Sequence, residues 1–229
     1  MSDQSSNADD AAGLETARLL LDIKAVNFRP EEPYTLTAGW ASPVYIDCRW
    51  VISFPEARGR IMQLASEKLQ REIGFDAIDA VAGGETAGIP YAAWISEAQS
   101  KPMLYVRKKP KGFGRNAQIE GHLEDGERVL LVEDLATDGG SKVTFVDALR
   151  GAGAEVSDIF VVFFYGAFPG AEETMKDLGV NLHYLATWRH VLQAAEEGEY
   201  FSPAAIDGVR AFLADPAGWS KAHSGKGSA

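Results

Sequence analysis

Two uninterrupted apolar runs constrain this chain more than any other feature: residues 129–132 ("VLLV") and 160–164 ("FVVFF"). A strand with one face in water alternates polar and apolar residues. Runs that are apolar at every position belong to strands covered on both faces. Shorter apolar runs recur at "AIDAVAG", "PMLYVR" and "NLHYLATW". Between them lie segments of helical pattern: "FPEARGRIMQLASEKLQREIG", which opens on proline and stops at glycine, then "YAAWISEAQ", "SKVTFVDALRGAG" and "AEETMKDLG". Strands alternating with helices predict an α/β fold with a mainly parallel central sheet flanked by helices. A helix is expected over residues 14–26 and two more near 189–197 and 203–214; "PVYIDCRWVI" has strand character. No repeat or Pro/Ser-rich linker divides the 229 residues. One domain is expected over 13–215, with 1–12 a disordered tail and 216–229 a C-terminal tail.

Composition removes several function classes. The net charge of −11 disfavours binding to nucleic acid through a general electrostatic surface. No apolar stretch is long enough to span a membrane, and the acidic start "MSDQSSNADDAAG" lacks the basic and apolar regions of a signal peptide. The single cysteine, Cys48, cannot form an internal disulfide, which points to the cytoplasm. Four histidines form no spaced metal cluster, so no protein-built metal site is expected.

Ligands of parallel sheets bind beyond the carboxyl ends of the strands. Three such ends carry unusual loops: "GGETAG", "RKKPKGFGR" and "EDLATDGGS". In the last, Thr137, Asp138, Gly139, Gly140 and Ser141 lead into a helix. Small residues let backbone N–H groups approach an anion, the helix N-terminus adds positive dipole, and two hydroxyls add donors. This is a cradle for one phosphate, and it is not a Walker loop. Glu133 and Asp134, just before it, would repel that phosphate. They make sense if they accept hydrogen bonds from sugar hydroxyls or hold a water on a divalent cation. A phosphorylated ribose satisfies both halves. A plain turn with an N-cap from Ser141 or Thr137 is the competing reading of the loop alone.

The second loop holds Arg107, Lys108, Lys109, Lys111 and Arg115 with no acid among them. A polyphosphate is the target such a patch serves best. "GFGRNA" matches the dinucleotide fingerprint G-x-G-x-x-A, but it lies inside a charged loop rather than between a strand and a helix. A solvated surface loop is the competing reading.

"VLLVEDLATDGGS" resembles the binding motif of type I phosphoribosyltransferases, which recognise phosphoribosyl pyrophosphate. "YVRKKPKGFGRNAQIEG", with "TLTAGWASPVYIDCR" upstream, is similar to the orotate phosphoribosyltransferase family, and the likeness runs from about Phe28 to about Trp188. It implies a type I phosphoribosyltransferase-like fold with a small hood and a flexible basic loop. The implied reaction transfers 5-phosphoribosyl from phosphoribosyl pyrophosphate to orotate, with Mg²⁺ held mainly by the pyrophosphate and waters. A homodimer is also implied, the basic loop reaching the neighbouring site. By the same resemblance Arg107, Lys108, Lys111 and Phe113 serve the pyrophosphate, with Lys111 the leading catalytic cation. Gly84, Glu85 and Thr86 approach it from the other side. Glu133 and Asp134 hold the ribose hydroxyls, Leu135 and Ala136 to Ser141 the 5′-phosphate. Thr137, Thr37 and Tyr45 face orotate.

The chain departs from the family pattern at several positions. Phe113 stands where many members have histidine, and Thr37 where a lysine is often found. "FFYGAF" lacks the Asp-Arg pair whose arginine holds the orotate carboxylate, leaving Arg49 or Arg189 as candidate replacements. Two readings therefore compete with orotate transfer. One is a phosphoribosyltransferase for another nucleobase; the other is a non-catalytic regulator that binds phosphoribosyl pyrophosphate. A hydrolytic pair of Glu133 and Asp134 is disfavoured, because neighbours on a strand face opposite ways.

Overall fold

The computed structural model describes residues 2–36, 39–111, 118–137, 140–167 and 170–227. The chain begins with α1 (Ser2–Asp22), then β1 (Val26–Phe28), β2 (Tyr34–Thr35), β3 (Ala41–Ser42) and β4 (Val44–Ile46). A 3-10 helix, Cys48–Ser53, leads into α2 (Pro55–Glu72), β5 (Ala80–Gly84), α3 (Gly88–Gln99), β6 (Met103–Val106) and β7 (Ile119–Glu120). Next come β8 (Arg128–Ala136), α4 (Gly140–Gly151), β9 (Glu155–Phe164), α5 (Ala171–Leu178) and β10 (Asn181–Thr187). The chain closes with α6 (Trp188–Glu197), α7 (Pro203–Ala214) and α8 (Pro216–Ala222).

The two apolar runs pair with each other in the middle of a six-stranded sheet of order β10-β9-β8-β5-β6-β7. All neighbours are parallel except the edge strand β7. Both faces are covered, as the runs require. Leu130, Val132, Phe160 and Val162 join one apolar cluster, and Val129, Leu131, Ile159 and Val161 join another. A small hood lies apart, built of two antiparallel pairs, β1 with β4 and β2 with β3.

Three local expectations need correction. Residues 1–12 were expected to be a disordered tail, but α1 already runs from Ser2. Its acids are not left in solvent. Asp9 pairs with Lys68 (3.0 Å) and Arg71, Asp10 with Arg189, and Glu15 with Arg60 (2.6 Å). Each exposed pair contributes little, about 0–1 kcal/mol. The larger anchor is apolar, through buried Ala17, Leu20 and Leu21. The helix stops at Asp22, short of the expected 26, and Val26 starts the hood instead.

The 216–229 segment was also expected to be a tail. It forms α8 and returns to the hood: the Ala41 amide donates to the buried Ser220 hydroxyl (2.9 Å) and the Lys226 amide to Gly39 O (2.8 Å). Finally, strand character in "PVYIDCRWVI" ends at Ile46. Asp47 caps the 3-10 turn by accepting from the Arg49 amide (3.1 Å), which turns the chain out of the extended form.

Candidate active site

A cleft of about 900 Å³ opens at the carboxyl ends of β5, β6, β8 and β9, beneath the hood. Glu85, Thr86, Ala87 and Lys108 line one side; Glu133, Asp134, Leu135, Thr137, Ser141 and Phe145 form the floor. The hood supplies Leu36, Trp40, Tyr45 and Ile46, and the capped turn Asp47, Cys48 and Arg49; Tyr165 and Lys226 complete the wall. The three loops singled out in the sequence thus meet in one place.

The floor is the tip of β8. Glu133 and Asp134 alternate across the strand, yet both line the cleft; pairing of β8 with β5 stops at Val132, just before them. Glu133 is buried, and its Oε2 accepts from the buried ammonium of Lys142 at 3.0 Å. That ammonium also donates to Leu135 O (2.5 Å) and Ser141 Oγ (3.3 Å). Glu133 Oε1 has no partner among the described residues. It lies over Gly84 and Gly88, where an added Cβ would fall 2.0 Å and 2.8 Å from it. Only glycine at these two points leaves room for the carboxylate.

Asp134 lies on the side of Cys48 and Tyr91. Burial raises its pKa to about 6, with the charge of Glu133 adding to the rise; Lys142 and the amides of Asp134 and Leu135 pull it back. It is therefore ionised at neutral pH and able to accept hydrogen bonds. Burial, then the charges of Asp134 and Asp47, push the Cys48 thiol well up. Cys48 is buried in the core, so its sulfur is no nucleophile.

The side walls are tied to the floor. The Glu85 amide donates to Val106 O (2.8 Å), and Glu85 Oε2 accepts from the Lys108 amide (2.7 Å). The Glu85–Thr86 peptide bond is cis. At the hood, the Tyr165 hydroxyl meets Ser42 Oγ (2.7 Å) and its amide donates to Ala136 O (2.8 Å).

Comparison with known proteins decides the family. An orotate phosphoribosyltransferase of Ruegeria sp. (strain TM1040) is 54% identical over 217 residues, covering 95% of this chain and 96% of that one. The chain belongs to the orotate phosphoribosyltransferase family. It is a pentosyltransferase of the type I phosphoribosyltransferase fold. A solved orotate phosphoribosyltransferase from Aeropyrum pernix is 30% identical with a TM-score of 0.68, covering 79% of this chain and 99% of that one. Another, from Mycobacterium tuberculosis H37Rv, was solved in complex with 5-phospho-α-D-ribosyl 1-diphosphate; it is 26% identical, with a TM-score of 0.61 over 79% of this chain and 98% of that one. No family model matches the chain.

The structure brings Glu85, Thr86, Lys108, Glu133, Asp134, Leu135, Thr137, Ser141 and Tyr45 to the cleft. Gly84 and Ala136 sit beneath it as buried packing, and Gly140 opens α4 beside it. Lys111 is not on the cleft wall: its ammonium is ion-paired with Glu120, which also faces Arg107 (3.6 Å). Thr37, Phe113, Asp138 and Gly139 lie outside the described residues. Of the two arginines considered for the acceptor carboxylate, Arg189 pairs with Asp10 away from the cleft. Arg49 lines it, held by both oxygens of Asp47 at 2.6 Å.

Sequence reasoning missed Lys142, Trp40 and Lys226. For Lys142 there was a signal. A lysine in the first turn of a helix opposes the helix dipole, so something else must hold it there. Trp40 and Lys226 lie 186 positions apart and meet only through the return of α8, which no local pattern announces.

Proposed function

We propose a division of the cleft in which the β8 tip holds the phosphoribosyl donor and the hood wall holds orotate. The observation that carries it is the joint lining of one cleft by Glu133, Asp134, Thr137, Ser141 and Lys108. Ionised Asp134 accepts from the ribose hydroxyls, with Glu133, held by Lys142, beside it in the floor. Thr137 and Ser141, at the start of α4, receive the 5′-phosphate. Glu85, Thr86 and Lys108 face the diphosphate. Binding of the donor itself is supported by the Mycobacterium tuberculosis relative solved with that molecule.

In the reaction the bond from ribose C1 to the diphosphate oxygen breaks, and its electron pair leaves with pyrophosphate. A ring nitrogen of orotate forms the new bond to C1 and loses its proton. Positive charge on the sugar ring is tolerated by Asp134, and negative charge on the leaving group is met by Lys108. Lys111 and its neighbours reach the diphosphate once they exchange Glu120 for it, in the same subunit or across a homodimer. Trp50, Ile52 and Phe54, exposed together beside Arg49, are the apolar surface such a dimer would bury.

Among the described residues no three His, Cys, Asp or Glu side chains converge as a metal cage. The cleft's oxygen donors suit an ion that would arrive on the diphosphate, with Asp134 the carboxylate that would help hold it. Bound that way, Mg²⁺ would neutralise charge on the leaving group. No helix among the described residues is long and apolar enough to cross a membrane. The lone buried Cys48 accords with a reducing, cytoplasmic setting.

The test is loss of orotate absorbance on mixing the protein with phosphoribosyl pyrophosphate and Mg²⁺. Turnover of uracil or a purine with none of orotate would overturn the acceptor assignment.

A further inference from the structure

We infer that Lys226, delivered by the C-terminal return over the hood, is the cation that receives the acceptor's carboxylate and so selects for a carboxylated pyrimidine. This rests on the orotate reading above. Such an acceptor brings a full negative charge into a cleft already walled by Asp47, Glu85, Glu133 and Asp134. An uncompensated charge there is strongly unfavourable, so some cation must face it. Among the described residues three Lys or Arg side chains line the cleft: Arg49, Lys108 and Lys226.

Two of these have other roles. The charge of Arg49 is balanced by Asp47, whose two oxygens accept from its guanidinium. Lys108, placed by its backbone amide on Glu85 beside the basic loop, serves the diphosphate in the reading above. Tyr165, at the tip of β9, uses its hydroxyl on Ser42 and brings no charge. Lys226 has no carboxylate within 4 Å among the described residues. Its ammonium lies 5.6 Å from the centre of the Trp40 ring. Trp40, Tyr45 and Leu36 are the apolar part of the lining on the hood side, and the Lys226 ammonium lies over the Trp40 ring there.

Its position is built rather than incidental. The Lys226 amide donates to Gly39 O (2.8 Å), and the Gly225 amide to Ser220 O (2.8 Å). Ser220 Oγ in turn holds the Ala41 amide. A Cβ on Gly225 would fall 2.3 Å from Ala41 N, so the glycine lets the segment lie flat on β3. The lysine backbone is thereby fixed while its exposed side chain stays free to swing onto a bound carboxylate.

The experiment is steady-state kinetics of wild type, Lys226→Gln and Lys226→Arg with orotate and phosphoribosyl pyrophosphate varied separately. Lys226 is exposed, so neither substitution disturbs folding. Lys226→Gln is expected to raise KM for orotate about tenfold or more, with KM for phosphoribosyl pyrophosphate within twofold of wild type. Lys226→Arg should restore most of the loss. Inhibition by uracil, which lacks the carboxylate, should be equal in all three proteins. An unchanged orotate KM in an active Lys226→Gln enzyme would overturn the inference, as would an equal rise in both KM values. Absence of orotate turnover in wild type would instead overturn the acceptor reading, a result distinguishable from either.

Discussion

The floor of the cleft and its hood wall are built in opposite ways. The floor draws on residues close in sequence, Glu133, Asp134, Leu135, Thr137 and Ser141, at the end of the paired strands β8 and β9. The wall is assembled from three distant pieces: β3 and its flanks, the tip of β9, and the return after α8. A few hydrogen bonds tie those pieces together, among them Ser42 to Tyr165, Ala41 to Ser220 and Lys226 to Gly39. In the proposed division, recognition of the large, highly charged donor falls to one short stretch of sequence at the tip of β8. Recognition of the small flat acceptor falls to side chains that separate segments bring together. Changes on the floor should therefore alter donor binding, and changes on the wall should alter acceptor binding while sparing that of the donor.

The largest expected effect breaks the floor. Lys142→Met leaves Glu133 buried without its cation and should cost about 3–5 kcal/mol in denaturant unfolding. Adding Glu133→Gln to that variant should recover most of the loss. If the single variant is as stable as wild type, the pair does not organise the floor. On the wall, Ser220→Ala deprives the buried Ala41 amide of its acceptor and should cost about 1–3 kcal/mol. It should also raise KM for orotate while sparing that for phosphoribosyl pyrophosphate.

The next prediction concerns pH. The folded-state pKa of Asp134, about 6, lies above the unfolded value near 3.8, so the folded state holds its proton more tightly. Stability from this group is present below about pH 4 and is lost as pH rises to about 6. Asp134→Asn should then be more stable than wild type at pH 8, by about 1–3 kcal/mol. At pH 4 the two should differ little; equal melting curves at pH 8 would deny the buried charge. Smallest of all, Tyr165→Phe removes the hydroxyl that meets Ser42 Oγ and Val44 O in the wall. It should cost about 1 kcal/mol and raise orotate KM a few-fold, with donor binding unchanged.

The same contrast explains what the sequence made legible. Apolar runs, the acid pair and the small loop are contiguous, so periodicity and residue chemistry locate the sheet, β8 and the floor. The 3-10 turn after Ile46 escaped because "CRWVI" carries strand-forming residues, and only the Asp47 cap redirects them. The start of α1 read as a solvated tail because its acids find partners more than 50 positions away, on α2 and α6. The wall was legible only in part. Tyr45 lay in a stretch resembling the family, but Trp40 and Lys226 acquire meaning from proximity alone. The missing arginine at Tyr165-Gly166 was visible as a gap, while what fills that space, a hydroxyl bridge to Ser42, was not.

The division between floor and wall is tested most directly by calorimetric titration of phosphoribosyl pyrophosphate into Asp134→Asn at pH 8. Loss of a charged acceptor for the ribose hydroxyls should weaken the dissociation constant by about ten- to a hundredfold. Affinity equal to that of wild type would contradict the account, since the donor would then be bound without the carboxylate at the centre of the floor.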